Sequence, residues 1–407
     1  MSTTATRSPA EAVSPSLPAP VRAWIAEALF RRALRRTRLT VVGPDGTAIA
    51  RGPAGSPAMT IHRSDFFHRL GRDGKIGFGE GYIAGDWNAD DLAGLLTALA
   101  AELNRLVPPA LARFRRLYEP QLGRRHRNTR DAAAQNIARH YDLSNELFAL
   151  FLDETMTYSC AVFAPGDTLA SAQRRKHERI CALAGLNGDD HVLEIGTGWG
   201  GLAEHAAAVY GCRVTSCTLS AAQAEWAARR IRQAGLDDRV EIVLADYRDL
   251  DGRYSKLVSV EMFEAVGEEY WPAFFAACDR LLAPGGRMVL QTITMPHERY
   301  LATRTAYTWI HKYVFPGGLI PSPEAIARAC ADAAALRIRR RIAIGSHYVR
   351  TLELWRERFL AGADRVRGLG FDDRFVRMWE FYLAYCQAGF ATGALDVEQM
   401  VLTRAAV

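Results

Sequence analysis

One short stretch limits this chain more than any other. Val192-Leu193-Glu194-Ile195 is an apolar run of strand type, and Gly196-Thr197-Gly198-Trp199-Gly200-Gly201 follows it directly. Glycine is required where a backbone turns sharply and approaches a ligand closely, because it has no Cβ to block the approach. A buried strand, a glycine turn and a helix in succession open a nucleotide-type binding unit in an α/β fold.

The surrounding sequence repeats that alternation. Strand-like runs fall at 192–195, 212–217, 240–244, 257–260, 287–294 and 337–344, with helical runs between them. This predicts an α/β fold: a doubly wound, mostly parallel Rossmann-like sheet with right-handed crossovers and helical insertions. Helical periods at 132–139, 143–152 and 168–186 lead into the glycine turn, and 352–391 reads as helical and rich in aromatics. Ahead of this lies a small α+β unit, with a basic amphipathic helix at 21–37, alternation over 38–63 around a Gly43-Pro44-Asp45-Gly46 turn, and helices at 64–71 and 91–118. The expected organisation is a disordered tail over 1–20, a small N-terminal domain over 21–120 and a catalytic domain over 121–407, with 119–130 as the linker.

Composition narrows the setting. No run of about 18 uncharged apolar residues exists, so no membrane-crossing helix is expected. The Ser-, Thr-, Ala- and Pro-rich start lacks the apolar centre of a secretory signal. Seven scattered cysteines, without C-x-x-C or Cys/His spacing, point to reduced thiols in the cytoplasm and to no metal site. The net charge of +6 is concentrated in arginine clusters at 31–38, 113–130 and 337–341. Such clusters suit phosphate on lipid headgroups or nucleic acid, although any one of them also reads as a solvated basic face.

The glycine turn can be read further. A dinucleotide site wants G-x-G-x-x-G and an acid about 20 residues on for the ribose. Here the pattern is G-x-G-x-G-G, with Glu194 just before it. The second strand ends in Thr218-Leu219-Ser220, with Gln223 close behind, which offers the ribose neutral hydrogen bonds. Asp246-Tyr247 follows the third strand, a polar edge and an aromatic face for adenine. This set fits S-adenosylmethionine, a ligand with no pyrophosphate. The cofactor-binding candidates from the residues are therefore Glu194, Gly196, Gly198, Gly200, Thr218, Leu219, Gln223, Asp246 and Tyr247.

With these residues in view, the chain resembles the cyclopropane-fatty-acyl-phospholipid synthase family, which includes the mycolic acid cyclopropane synthases. The resemblance runs over about 130–395. It rests on His140-Tyr141-Asp142-Leu143-Ser144-Asn145, Met156-Thr157-Tyr158-Ser159-Cys160-Ala161, the glycine turn, Thr218 to Gln223, Met262-Phe263-Glu264-Ala265-Val266-Gly267, Lys312 to Gly318, and His347-Tyr348-Val349-Arg350-Thr351-Leu352. Gly77 to Trp87 looks like the small N-terminal domain of the full-length bacterial enzymes. The resemblance implies methyl transfer to the double bond of an unsaturated phospholipid acyl chain, with a cyclopropane product. It also implies a homodimer. The small N-terminal domain and the arginine clusters suit peripheral docking on an anionic membrane face, and no nucleic-acid partner is expected. Tyr158 and Ser159 would join the adenosylmethionine contacts. A bicarbonate ion would lie beside the transferring methyl, held at Cys160, Glu264, Gln291, Ile293 and Tyr348. The sequence departs from the family twice: Gln291 stands where the family usually has His, and Glu261 where it has Gly.

The chemistry explains what such a site must supply. An alkene is a weak nucleophile, so the sulfonium methyl must be held in line with the π bond in a dry pocket. Attack leaves a carbocation that must lose a proton. Loss from the new methyl with ring closure gives a cyclopropane; loss without closure gives a methylene branch. Gln cannot carry the charge of an imidazolium, so the ion site is expected to be weaker and the branched product stays open. Gln291 lies on an expected core strand, where a polar side chain needs a partner. The aromatics Trp309, Tyr313, Phe315, Trp379, Phe381, Tyr382 and Tyr385 read either as an acyl tunnel wall or as plain core. The competing functions are a small-molecule N-methyltransferase and a silent lipid-binding homologue. A nucleic-acid methyltransferase would show an Asn-Pro-Pro-Tyr-type motif, and none is present.

Overall fold

The computed structural model describes residues 18–35, 37–106 and 144–404. The expected tail up to residue 17, the second arginine cluster, the linker at 119–130, the helical period at 132–139 and the His140–Leu143 part of the family motif lie outside the described residues.

Two compact units are present, Met1–Asp90 and Asp91–Val407. The division falls upstream of the basic stretch expected to join them, because helix Leu92–Leu106 packs against helix Asp373–Ala391 of the second unit. The first unit is the expected small α+β body. Helices Ala19–Leu34 and Asp65–Ile83 accompany a four-stranded sheet of β1 (Thr40–Val42), β2 (Ala48–Ala50), β3 (Ala58–Ile61) and β4 (Trp87–Ala89), in the order β2-β1-β3-β4. Its core is aromatic: Phe66 touches Phe30, Phe67 and Phe78, and Phe78 packs on Trp87. The buried Asp86 carboxylate is neutralised by Arg69 Nε at 2.7 Å, as a buried charge requires.

The second unit is built on a seven-stranded sheet. Its strands are β5 (His191–Ile195), β6 (Arg213–Thr218), β7 (Val240–Leu244), β8 (Tyr254–Val260), β9 (Leu282–Thr294), β10 (Leu336–Ala343) and β11 (Asp396–Arg404). They lie in the order β10-β11-β9-β8-β5-β6-β7, with β5 to β9 parallel and β11 antiparallel to both β9 and β10. The expected doubly wound α/β fold is therefore present. The last strand was not expected from the sequence. Its DVEQMVLTR has no clean alternation, because β11 is an interior strand buried along most of its length.

Strand order decides where a ligand can sit. The chain runs β5, β6, β7 outward in one direction and then returns to place β8 on the other side of β5. A crevice opens outside the carboxyl ends of the strands at such a reversal. The two loops that meet there are Gly196–Gly200 after β5 and Glu261–Glu264 after β8. The sheet is held by two apolar clusters. One joins Phe263, Phe274, Phe275, Leu281 and Leu290; the other joins Ile180, Val192, Val214 and Val289. Each large apolar side chain buried this way contributes about 2 kcal/mol before entropy is counted.

The third arginine cluster lies on β10, an edge strand. Arg341 makes a two-pronged ion pair with Glu398 at 2.6 Å, and Arg337 and Arg339 donate to backbone oxygens nearby. Charges of this kind discourage edge-to-edge pairing, and three of the four arginines also have partners within the unit.

Candidate active site

The crevice is a cleft lined by Met156 to Ser159, Lys176, Glu194 to Trp199, Thr218, Leu219, Gln223, Asp246, Tyr247, Glu261 and Met262 among others. Gly196 shows why glycine is required. Its φ is +99°, and a Cβ there would lie 3.0 Å from Met262 Cβ. The ends of β5 and β8 thus meet without a side chain between them, and backbone is left facing the cleft. Gly200 (φ +84°) caps helix Gly201–Tyr210, and a Cβ on it would meet Ala227 at 3.0 Å. Of the expected cofactor residues, Gly200 alone does not line the cleft; its neighbour Gly201 does. Its glycine serves helix packing.

The polar lining is pre-arranged. Thr218 Oγ1 donates to Gln223 Oε1 at 2.9 Å, and Ser220 Oγ caps helix Ala221–Gln233 by accepting from Gln223 N. Glu194 is buried and accepts from Ser216 Oγ at 2.5 Å; its lack of solvent raises its pKa to about 7. Asp246 is less available than expected, since its carboxylate forms a two-pronged pair with Arg248. Tyr247 is buried edge-on against Phe274. Trp199 donates to Asn145 Oδ1 at 2.7 Å, which ties the glycine turn to helix Asn145–Phe151. The donor set, the acid beside a glycine corner and the aromatic at the third strand together fit adenosylmethionine, while the cations of the lining are engaged within the chain, Arg248 by Asp246 and Lys176 by Ser159.

The expected catalytic residues gather elsewhere. None of Cys160, Glu264, Gln291, Ile293 and Tyr348 lines the cleft. They form a second cluster, and Glu261 joins it to the cleft. Glu261 Oε1 accepts from Cys160 N at 2.9 Å and from Gln291 Nε2 at 2.8 Å, while its Oε2 accepts from the Tyr348 hydroxyl at 2.8 Å. Gln291 is aimed by Gln399 of β11, whose Nε2 donates to Gln291 Oε1 at 3.0 Å. Tyr348 is packed between Trp355 and Phe390 and keeps its proton, since burial pushes its hydroxyl pKa well up. Cys160 is fully buried, and the same loss of solvent holds it as a neutral thiol.

Glu264 faces a different part of the cluster. Its Oε1 accepts from Ile293 N and from Thr292 Oγ1, and its Oε2 is shut off from solvent with no partner among the described residues. Desolvation first, and then the Glu261 charge, raise its pKa to about 8. Two neighbouring carboxyls cannot both ionise cheaply. Burial raises the Glu261 pKa too, with its three donors pulling the other way, while Glu264 also feels the Glu261 charge and is the more readily protonated member of the pair.

These contacts test the expected ion site. Three of its five positions already spend their donors on the Glu261 carboxylate, and Ile293 N is taken by Glu264. The residues therefore do not fit a bound bicarbonate.

Two polar residues of this site were missed from sequence. Glu261 was noted only as a departure from glycine. Lys176 belongs to no motif, yet it is 1% exposed, donates to Ser159 Oγ at 2.9 Å and lies in the cleft wall with Glu261 and Glu194. Burial lowers its pKa to about 8 against the pull of those carboxylates. A signal was available: Leu169, Ala172, Lys176, Ile180 and Ala184 form one helical stripe, so Lys176 falls among core positions.

The aromatic set is largely core. Trp309, Trp379, Phe381 and Tyr382 are buried, and Trp309 packs on Phe381. Tyr382 also bonds the Tyr158 hydroxyl at 2.7 Å, which links helix Asp373–Ala391 to the cleft. Among the described residues no helix is long and apolar enough to cross a membrane, and no group of His, Cys, Asp and Glu could hold a metal ion.

The comparisons agree with this architecture. The family model described as mycolic acid cyclopropane synthetase matches residues 128–400. The tuberculostearic acid methyltransferase UfaA1 of Mycobacterium tuberculosis is 50% identical over 98% of this chain and 95% of its own length. The cyclopropane-fatty-acyl-phospholipid synthase of Escherichia coli is 36% identical over 85% of this chain and 87% of its own. The crystal structure of mycolic acid cyclopropane synthase CmaA1 with SAH and CTAB superposes with a TM-score of 0.62 at 32% identity, covering 66% of this chain and 97% of that one. Coclaurine N-methyltransferase, at 19% identity and a TM-score of 0.59, shares the fold. The chain belongs to the mycolic acid cyclopropane synthetase family and is an adenosylmethionine-dependent C-methyltransferase.

Proposed function

We propose that this enzyme transfers the methyl group of adenosylmethionine to a double bond in an unsaturated phospholipid acyl chain and releases a methylene-branched chain rather than a ring. The observation that carries the reading is the carboxylate–phenol–amide cluster around Glu261 at the glycine-cornered cleft, whose lining residue Tyr158 packs on Trp355 and Phe148. Adenosylmethionine supplies the sulfonium methyl. The chain supplies a dry, aromatic surrounding that tolerates a carbocation, and groups that can accept a proton. Gly196 and Gly198 would admit the methionine portion near Glu194. Thr218, Leu219 and Gln223 would take the ribose, and Tyr247 the adenine face.

The open-chain product is favoured for two reasons. The relative sharing half of the residues is named for methyl transfer, whereas the cyclopropane synthase shares 36%. This site also lacks the family's usual pairing of glycine and histidine, having Glu261 and Gln291 instead. After methyl addition, a 1,2-hydride shift brings the charge to the methylated carbon, and loss of a methyl proton forms the exocyclic double bond. Expression in a host that lacks the activity tests this. Each modified double bond should gain one CH₂ by mass, with vinylidene protons in the NMR spectrum. Cyclopropane proton signals would return the reading to ring formation, and unmodified lipid would defeat it.

The first unit would bring the enzyme to its lipid. Helix Ala19–Leu34 exposes Trp24 at 70% and Leu29 at 56%, with Arg31 and Arg32 exposed along it and Arg35 exposed at its C-cap. Apolar side chains among cations suit an anionic membrane surface. Trp24→Ala should weaken co-sedimentation with anionic vesicles several-fold, and salt should weaken wild-type binding as well. Binding indifferent to both would count against docking through this helix. A homodimer at the cytoplasmic membrane face completes the proposal, and light scattering of the purified protein tests the dimer.

A further inference from the structure

The Glu261 backbone is unusual. Its φ is +48°, in the left-handed region that only glycine enters freely, and its N–H donates to Gln291 O at 2.7 Å. Holding a non-glycine residue there costs about 1 kcal/mol or more. The cost goes with a side chain that turns into the cleft wall and collects three donors: a backbone N–H, an amide and a phenol. An ion held there would need the same donors.

We infer that Glu261 is the built-in general base of this enzyme, taking the proton that an external bicarbonate would otherwise remove. The assignment rests on the methyl-transfer reading above and names the group that completes it. The carbon–sulfur bond breaks with its electron pair left on sulfur. The π pair of the alkene forms the new carbon–carbon bond. A 1,2-hydride shift moves the positive charge to the methylated carbon; Glu261 then takes a proton from the added methyl, and that C–H pair becomes the exocyclic π bond. The Glu261 carboxyl later returns the proton to solvent, and no oxidant or reductant is consumed.

The surroundings favour Glu261 over Glu264 for this step. Glu261 lines the cleft and Glu264 does not. Burial raises the Glu261 pKa, which strengthens it as a base, and Lys176 in the same cleft wall limits that rise. Tyr348 and Gln291 donate to the carboxylate and are positioning residues, holding its two oxygens in fixed directions.

The test compares wild type, Glu261→Gln and Glu261→Gly on vesicles of monounsaturated phospholipid, in CO₂-free buffer and again with added bicarbonate. SAH affinity is measured for each protein as a check on folding. Wild-type turnover should be the same in both buffers. Glu261→Gln should retain SAH binding and lose about a hundredfold or more in kcat, the ordinary worth of a general base. Glu261→Gly, which opens the space, should regain turnover when bicarbonate is supplied. Wild-type turnover that collapses without bicarbonate and recovers with it would overturn the assignment. So would a Glu261→Gln enzyme within about tenfold of wild type. Failure of the substrate reading looks different, because it appears as absent product in the wild type.

Discussion

The cofactor cleft and the carboxylate cluster beside it are built on opposite principles. The cleft is formed by removing side chains: Gly196 and Gly198 leave backbone exposed at the reversal of strand order, and any family member needs the same backbone. The cluster is formed by adding one, since Glu261 occupies a left-handed position that glycine would fill at lower cost. The first arrangement accommodates a ligand shared by many methyltransferases. The second adapts this chain's own chemistry. Substitutions should therefore separate the two regions, one through binding and the other through turnover.

The largest effect is expected at the glycine corner. Gly196→Val places a branched side chain at φ +99° and against Met262. A strain of about 1–3 kcal/mol should cost up to about a hundredfold in SAH affinity, and turnover with it. Calorimetry that finds affinity unchanged would remove the close-approach argument.

Lys176→Met should act on the other region. Removing a cation that shares the wall with Glu261 raises the carboxyl pKa. The acidic limb of the pH–rate profile should then move up by about one unit, with SAH affinity nearly constant. An unmoved limb would mean that Lys176 only fills space.

Glu264→Gln should be the mildest change in rate, within about threefold near neutral pH if Glu264 is already protonated there. It has a distinct signature in stability. The folded-state pKa of about 8 lies above the ordinary 4.5. Between those values the folded chain keeps a proton that the unfolded chain has lost, so this group's contribution falls as pH rises from 4.5 to 8. The Gln variant should thus melt a few degrees above wild type at pH 8 and close to it at pH 5. Equal melting shifts at both pH values would show that Glu264 is ionised in the fold.

What the sequence revealed follows the same division. Strands β5 to β9 were legible because their apolar runs are bounded by glycine turns and helices, and β10 because Leu336, Ile338 and Ile342 alternate with arginines. The glycine corner was legible because φ above zero leaves glycine as the trace. Strand β11 was not, since an interior strand that buries Glu398 and Gln399 lacks period-two alternation. The alignment of Glu261 with Cys160, Gln291 and Tyr348 was also hidden, because its partners lie as far as 101 residues away and one is a backbone N–H. Only the resemblance to a family with glycine at that position marked it as unusual. Lys176 was legible too, as a cation on a helical stripe of core positions.

The account depends on carbon methylation followed by proton loss. The most direct measurement supplies adenosylmethionine with a fully deuterated methyl to the purified enzyme and monounsaturated phospholipid vesicles, and reads the product by mass and NMR. The account predicts acyl chains that keep two of the three deuterons as an exocyclic CD₂ group. Label that retains all three deuterons, or that resides on a headgroup amine, would contradict it.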